Sequence, residues 1–206
     1  MLWLCLHFPR LPLESLHYTQ ARPAAVLIKQ RRDVLLCLNE AAEEAGLEPG
    51  MPPSAAQALC PDVVLLPRDT AGEGDALKAA AAWATQFGDP VHLDHERALV
   101  WVEIGNSRRL FGGLAPLQAQ VQAALEELEI SADDGIAPTL EAAAILAVHQ
   151  RGCAIETLPE MRAALAGLPL TALHLAPEAL ELLRQAGLRK LADVQVESNQ
   201  YGQGKR

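Results

Sequence analysis

Two strand-length apolar runs, Ala24–Ile28 and Val34–Leu38, follow one another with only the polar turn 29–33 between them. That pattern excludes a fold built wholly from alternating strands and crossover helices, because a hairpin pairs antiparallel. Around it, residues 2–8 and 63–66 read as further strands. Residues 69–87 and 139–149 are Ala-rich and helical, the first carrying Leu77, Ala81 and Ala84 on one side, and residues 116–128 space Leu117, Val121, Ala124, Leu125 and Leu128 as a helix does. Strand, helix and strand in this order, with two consecutive strands inside, predict an α+β layer: an antiparallel or mixed sheet with helices on one face.

Local signals divide the chain further. Asn39 is placed to cap a short helix over 40–45 that stops at Gly46, Pro49-Gly50-Met51-Pro52 makes a turn, and a second small helix follows over 54–59. Gly88 to Pro90 break the long helix. Residues 91–113, VHLDHERALVWVEIGNSRRLFGG, then read as a hairpin with Asp94 and His95 at its tip, a returning strand over 99–104, and a helix opening at 106–111 under an Asn106 or Ser107 cap. Residues 130–137 form a weak strand in which Asp133 and Asp134 read as a solvated end. From residue 158 only short helices are predicted, and PEALELLRQAGLRKLADV, 177–194, outlines a helix-hairpin-helix unit before a polar tail at 197–206.

Half of the 206 residues are apolar, enough for one substantial core and a smaller appended unit. No apolar run is long enough to span a bilayer, and MLWLCLHF lacks the basic flank and small-residue cleavage site of a signal peptide, so a cytoplasmic location is expected. Cys5, Cys37, Cys60 and Cys153 are scattered among apolar neighbours, which suits reduced, buried thiols. A net charge of −9 argues against tight unaided binding to nucleic acid.

Two segments carry a resemblance. NEAAEEAGLEPGMPPSAAQALCPDVVLLPRD, 39–69, resembles the fingers segment of the Y-family (UmuC-type) translesion DNA polymerases, and LDHERALVWVEIGNSRRLFGG, 93–113, resembles the segment around that family's SxDE motif. The closest likeness is to its catalytically degenerate bacterial branch, the ImuB proteins. The implied fold is a ferredoxin-like polymerase palm over 1–157 with a small fingers insertion at about 24–66, then a partial helical thumb over 158–196. The family's little-finger domain and any clamp-binding segment fall outside these residues, as expected of a truncated product or of a protein whose remaining domains are missing.

Active members hold two metal ions on three carboxylates. The resemblance places the first of these acids on Cys5, a second acid position of that strand on His7, and the tip pair on Asp94 and His95. The family's triphosphate-gripping Tyr and Arg fall on Glu40 and Glu43, whose charges would repel a polyanion. A basic residue after the last palm helix persists as Arg151. The resemblance therefore implies a catalytically inactive polymerase relative acting as an adaptor in SOS-type damage tolerance and induced mutagenesis, without a cofactor of its own. Its implied partners are DNA, bound weakly, a RecA-like accessory protein, the sliding clamp and an error-prone replicative-type polymerase. The alternatives are an active translesion polymerase using Mg²⁺ with Asp94 and unusual acids such as Asp133 or Glu103, and a weak DNA-binding module.

The same residues admit other chemistry. Cys5, His7, Asp94 and His95 are ligand types that zinc prefers, against a bland reading in which Cys5 fills the core and Asp94 caps a turn. A Cys5–His95 nucleophile pair lacks anything to lower the thiol pKa. Arg108 and Arg109, beside Phe111, are the candidate DNA-backbone contacts, and Trp83, Phe87 and Trp101 read as core anchors.

Overall fold

The chain, seen in a computed structural model, is described over residues 1–29, 31–128 and 130–194; the polar tail at 197–206 and the last two residues of the expected thumb lie outside that range. In chain order the elements are β1 (Trp3–His7), α1 (Leu11–Glu14), β2 (Ala24–Ile28), β3 (Val34–Leu38), α2 (Glu40–Glu44), α3 (Pro53–Leu59), β4 (Val64–Pro67), α4 (Thr70–Ala84), β5 (Val91–Asp94), β6 (Leu99–Glu103), α5 (Leu114–Glu127), β7 (Asp133–Ala137), α6 (Leu140–His149), β8 (Cys153–Ala154), α7 (Leu158–Leu165) and α8 (Pro177–Gln185).

A five-stranded mixed sheet of order β5-β6-β1-β7-β8 forms the larger unit, with β1 in the middle between antiparallel β6 and β7, and β8 parallel to β7. The run WLCLH is almost continuously apolar because both of its faces are covered. Leu4 and Leu6 enter one core with Leu77, Ala81 and Ala84 of α4 and Leu117, Val121 and Leu125 of α5. Trp3 and Cys5 enter a second core with Leu99, Trp101 and the alanines of α6. Helices therefore lie on both faces rather than one. Gly135 is what lets α6 descend: a Cβ there would meet the backbone of Ala147 at 2.4 Å and of Ala143 at 2.6 Å.

The smaller unit is a three-stranded sheet, β3-β2-β4, made by the predicted hairpin and a parallel β4. Asn39 fixes its corner. The amide oxygen accepts from the backbone N–H groups of Ala42 and Ala24, and the amide nitrogen donates to the carbonyl of Arg22. Gly46, at φ +82°, ends α2 as expected.

Two sequence expectations are corrected. Residues 106–111 form only a 3₁₀ turn at Ser107–Arg109, and Asn106 makes no cap hydrogen bond; the positive φ values of Gly112 and Gly113 turn the chain before a helix can propagate. Asp133 and Asp134 are not a solvated end. Asp134 is buried, and its two oxygens accept from Gln118 Nε2 at 2.5 Å and Gln122 Nε2 at 2.6 Å, both from α5. Beyond α6, Leu165, Leu170, Ala172 and Leu191 seat the short helices on the second core, and Gly187, at φ +84°, ends α8 before a further helical turn begins at Leu191.

Candidate functional site

The candidate residues are set by the alternation of β1 and β6. Facing pairs across this ladder are Cys5 with Trp101 and His7 with Leu99; on the other side, Cys5 faces Gly135 and His7 faces Asp133. Opposed residues of a ladder project to the same face of the sheet. On the β6 side the neighbours that would share an ion with residue 5 or 7 are therefore Trp101 and Leu99, both buried and apolar; on the β7 side only Asp133, facing His7, is an acid.

Cys5 has no exposure at all, and burial pushes its thiol well above its ordinary pKa, with Arg97 opposing the shift only in part. Burial therefore works against the thiolate form that a nucleophile needs. His7 Nδ1 lies 3.8 Å from Asp133 Oδ2, beyond hydrogen-bond reach, and is buried without a partner among the described residues. Burial lowers the His7 pKa; Asp133 raises it and Arg151 and Arg97 lower it further.

Asp94 and His95 stand elsewhere. Asp94 is one strand further out, opposite Leu99 on the β5 side of β6. Its Oδ1 accepts the backbone N–H groups of Glu96 at 2.9 Å and Arg97 at 3.1 Å, closing the hairpin tip as an Asx turn. The His95 ring lies against Gly74 of α4, on the face of the sheet opposite Cys5. The four candidate zinc ligands are thus not brought together, and no group of three or more His, Cys, Asp or Glu among the described residues is arranged to hold a metal. A pair of divalent ions needs convergent hard oxygens, and this donor set does not fit one. Glu103 sits at the far end of β6, where Oε1 accepts the N–H groups of Leu2 and Gly105.

What holds the tip is a contact the sequence did not signal. Arg97 donates to both oxygens of Glu141, at 3.0 and 3.3 Å, and its guanidinium lies 5.8 Å from the ring centre of Trp101, whose Nε1 donates to the carbonyl of Leu140. Hairpin and α6 are tied across the buried Cys5–Leu99 floor.

Glu43 lines a cleft of 820 Å³ between the two sheets, and Glu40 stands one turn earlier on α2. Arg10, just before α1, reaches both: Nη1 donates to Glu40 at 3.0 Å and Nη2 to Glu43 at 3.4 Å. Those bonds raise the Arg10 pKa, chiefly through Glu40. Arg151 pairs with Asp133 across the same cleft at 3.2 Å. Both arginines lining the cleft are thus matched with a carboxylate. Nothing in the spacing marks Arg10, thirty residues from Glu40, as the partner. Arg108 pairs with Glu156, whereas Arg109 is exposed; Phe87 and Trp101 are core residues, and Trp83 packs partly buried on Phe87.

Comparisons with known proteins fit this geometry. Residues 13–147 match the impB/mucB/samB family. Protein ImuB of Caulobacter vibrioides is 34% identical over 149 residues, 72% of this chain and 32% of that protein. DNA polymerase IV of Cronobacter sakazakii is 29% identical over 178 residues, 81% of this chain and 48% of that protein. The chain thus spans a third to a half of the length of these curated relatives. Among solved structures, an insertion ternary complex of Dbh DNA polymerase superposes with a TM-score of 0.74 at 18% identity, covering 95% of this chain and 60% of that one; DinB from Sulfolobus solfataricus gives 0.69 at the same identity and coverage. The shared fold is that of Y-family polymerase palm and fingers.

Proposed function

This chain belongs to the impB/mucB/samB family, and within it we propose that it is a catalytically inactive, polymerase-like adaptor for DNA damage tolerance and translesion synthesis. The observation that carries the reading is that Cys5, which the resemblance aligns with the first metal-binding acid, is packed in an apolar core against Leu99 and Trp101. The cleft supports it independently, since Glu40 and Glu43 present negative charge and occupy Arg10. An incoming triphosphate would have to displace those pairs without metal ions to screen its own charge.

An adaptor needs the palm as a frame rather than as a reaction centre, and the Arg97–Glu141 pair ties the hairpin tip to α6. The partners, by resemblance, are a RecA-like accessory protein, the sliding clamp and a second, error-prone polymerase that performs synthesis; DNA contact is weak because the chain is acidic. The boundary between palm and thumb is proposed near residue 158, where the sheet ends and short helices begin.

Primer extension tests the reading. Purified protein, Mg²⁺ and the four deoxynucleotides are expected to give no extension on undamaged or abasic template. Metal-dependent nucleotide addition that Asp94→Ala abolishes would defeat it and establish the active-polymerase alternative. A tight complex of this chain alone with DNA at physiological salt would favour a plain DNA-binding module instead.

A further inference from the structure

The β2–β3 hairpin ends in a turn that passes beyond Ile28 and Val34, the last facing pair of its ladder. Lys29, Arg31 and Arg32 are exposed there, and none of them pairs with a carboxylate among the described residues. Arg10, Arg68, Lys78, Arg97, Arg108 and Arg151 are, by contrast, each held by an acid. Asp33, exposed in the same turn, offsets one charge of the basic group. A local positive surplus remains on a chain of net charge −9. Arg68, next after β4 and so at this end of the small sheet, is taken up by Glu73 at 2.7 Å. Glu40 and Glu43 stand at the other end, beyond Leu38. The run of β3 from Leu38 back to Val34 spans about 13 Å, more than the Debye length of about 8 Å at physiological salt, so the acids of the cleft are largely screened from the turn.

Unmatched cations grouped on a protruding turn call for a ligand whose negative charges recur along its length, as the phosphates of a nucleic acid backbone do. The turn sequence, KQRRD, has no aromatic side chain on which a base could stack, so phosphates rather than bases are what it can hold. It has no apolar side chain either, and a docked protein segment draws its affinity from such anchors. We propose that the β2–β3 turn is where this chain holds DNA, with Lys29, Arg31 and Arg32 on backbone phosphates. The inference rests on the weak DNA contact of the adaptor reading and gives that contact a place, remote from the Cys5 floor.

The test is fluorescence anisotropy of the whole chain with a labelled DNA duplex and with its single strand, between about 25 and 100 mM salt. Weak binding that fades as salt rises is expected. The variant Lys29→Gln/Arg31→Gln/Arg32→Gln is expected to bind at least about tenfold more weakly and to reduce the slope of log affinity against log salt by about 2 to 3 on the duplex, somewhat less on the single strand. Removing as many charges from the exposed thumb positions, Arg162→Gln/Arg184→Gln/Arg189→Gln, changes the net charge equally and is expected to leave affinity within about twofold. Arg31→Lys/Arg32→Lys keeps both charges and is expected to stay within about threefold of wild type. The turn lies outside the ladder, so its variants are expected to melt as wild type does. Equal losses in the turn and thumb variants would reduce the effect to net charge and overturn the proposal, as would an unchanged salt slope in the turn variant. Displacement of the DNA by decaglutamate at equal charge concentration would also overturn it, marking a site for an acidic protein. Absence of salt-dependent binding by wild type would remove the DNA contact together with its site, whereas catalytic inactivity is judged by primer extension and fails or stands separately.

Discussion

Leu99 stands directly across the β1–β6 ladder from His7, fully buried beneath α6 and in the same core as Cys5. A carboxylate placed on that floor would lose its water, and Arg97, held by Glu141, would offset only part of that loss. Cys5→Asp and Leu99→Glu are each expected to lower stability by about 3 kcal/mol or more at pH 7, measured by urea unfolding. The introduced acid has its pKa raised in the folded state, so the native protein holds a proton that the unfolded chain releases. The loss is therefore largest above the folded-state pKa and smaller at pH 4. Neither variant is expected to gain stability from Mg²⁺; a clear Mg²⁺-dependent rise would mean that the floor can reorganise into a metal site.

Asp94 is explained by the two backbone N–H groups it accepts at the hairpin tip. Asp94→Ala is expected to cost about 1 kcal/mol, the usual worth of such a capping oxygen, and Asp94→Asn, which keeps an acceptor, about half of that or less. Thermal unfolding with and without Mg²⁺ checks this. The metal is expected to leave wild type and both variants unchanged, and selective stabilisation of wild type would identify Asp94 as a ligand.

The tie between Arg97 and Glu141 is bidentate, and the arginine side chain is only 17% exposed, although the glutamate is 45% exposed. Exposure on one side discounts the pair, so a double-mutant cycle to alanine is expected to give a coupling of about 1 kcal/mol rather than the several of a fully buried pair. Arg97→Lys should recover little of it, because an ammonium offers neither the planar fork nor the stacking on Trp101. A coupling near zero would remove the latch from the account of the tip.

What the sequence made legible was local. Asn39 and Gly46 bracket α2 as their chemistry demands, the hairpin of β2 and β3 follows from two apolar runs and a polar turn, and Cys5 announces itself as a core residue by its neighbours. Long-range pairings were not legible. Arg97 meets Glu141 and Arg10 meets Glu40 only because strands and helices distant in the chain are folded together, and no periodicity encodes that. Asp134 misled for the same reason: a carboxylate in a strand reads as exposed until two glutamines on another element are known to satisfy it.

His7 offers a test that reports on the floor without disturbing its packing. Its pKa is lowered from the ordinary 6.5, mainly by burial, with Asp133 raising it and Arg151 and Arg97 on neighbouring elements lowering it. Well above pH 6.5 the imidazole is neutral in both states and contributes no pH dependence. As pH falls below that value the unfolded chain takes up the proton first, so stability is lost progressively until the folded-state pKa is reached. His7→Gln is expected to remove that part of the slope, read from urea unfolding between pH 7.5 and 5. Arg151→Gln takes away a repelling cation and should make the loss shallower, whereas Asp133→Asn takes away the attracting anion and should deepen it. An imidazole NMR titration of wild type is expected to give a midpoint below 6.5. A midpoint above it would mean that Asp133 outweighs burial, and the slope that His7→Gln removes would have the opposite sign.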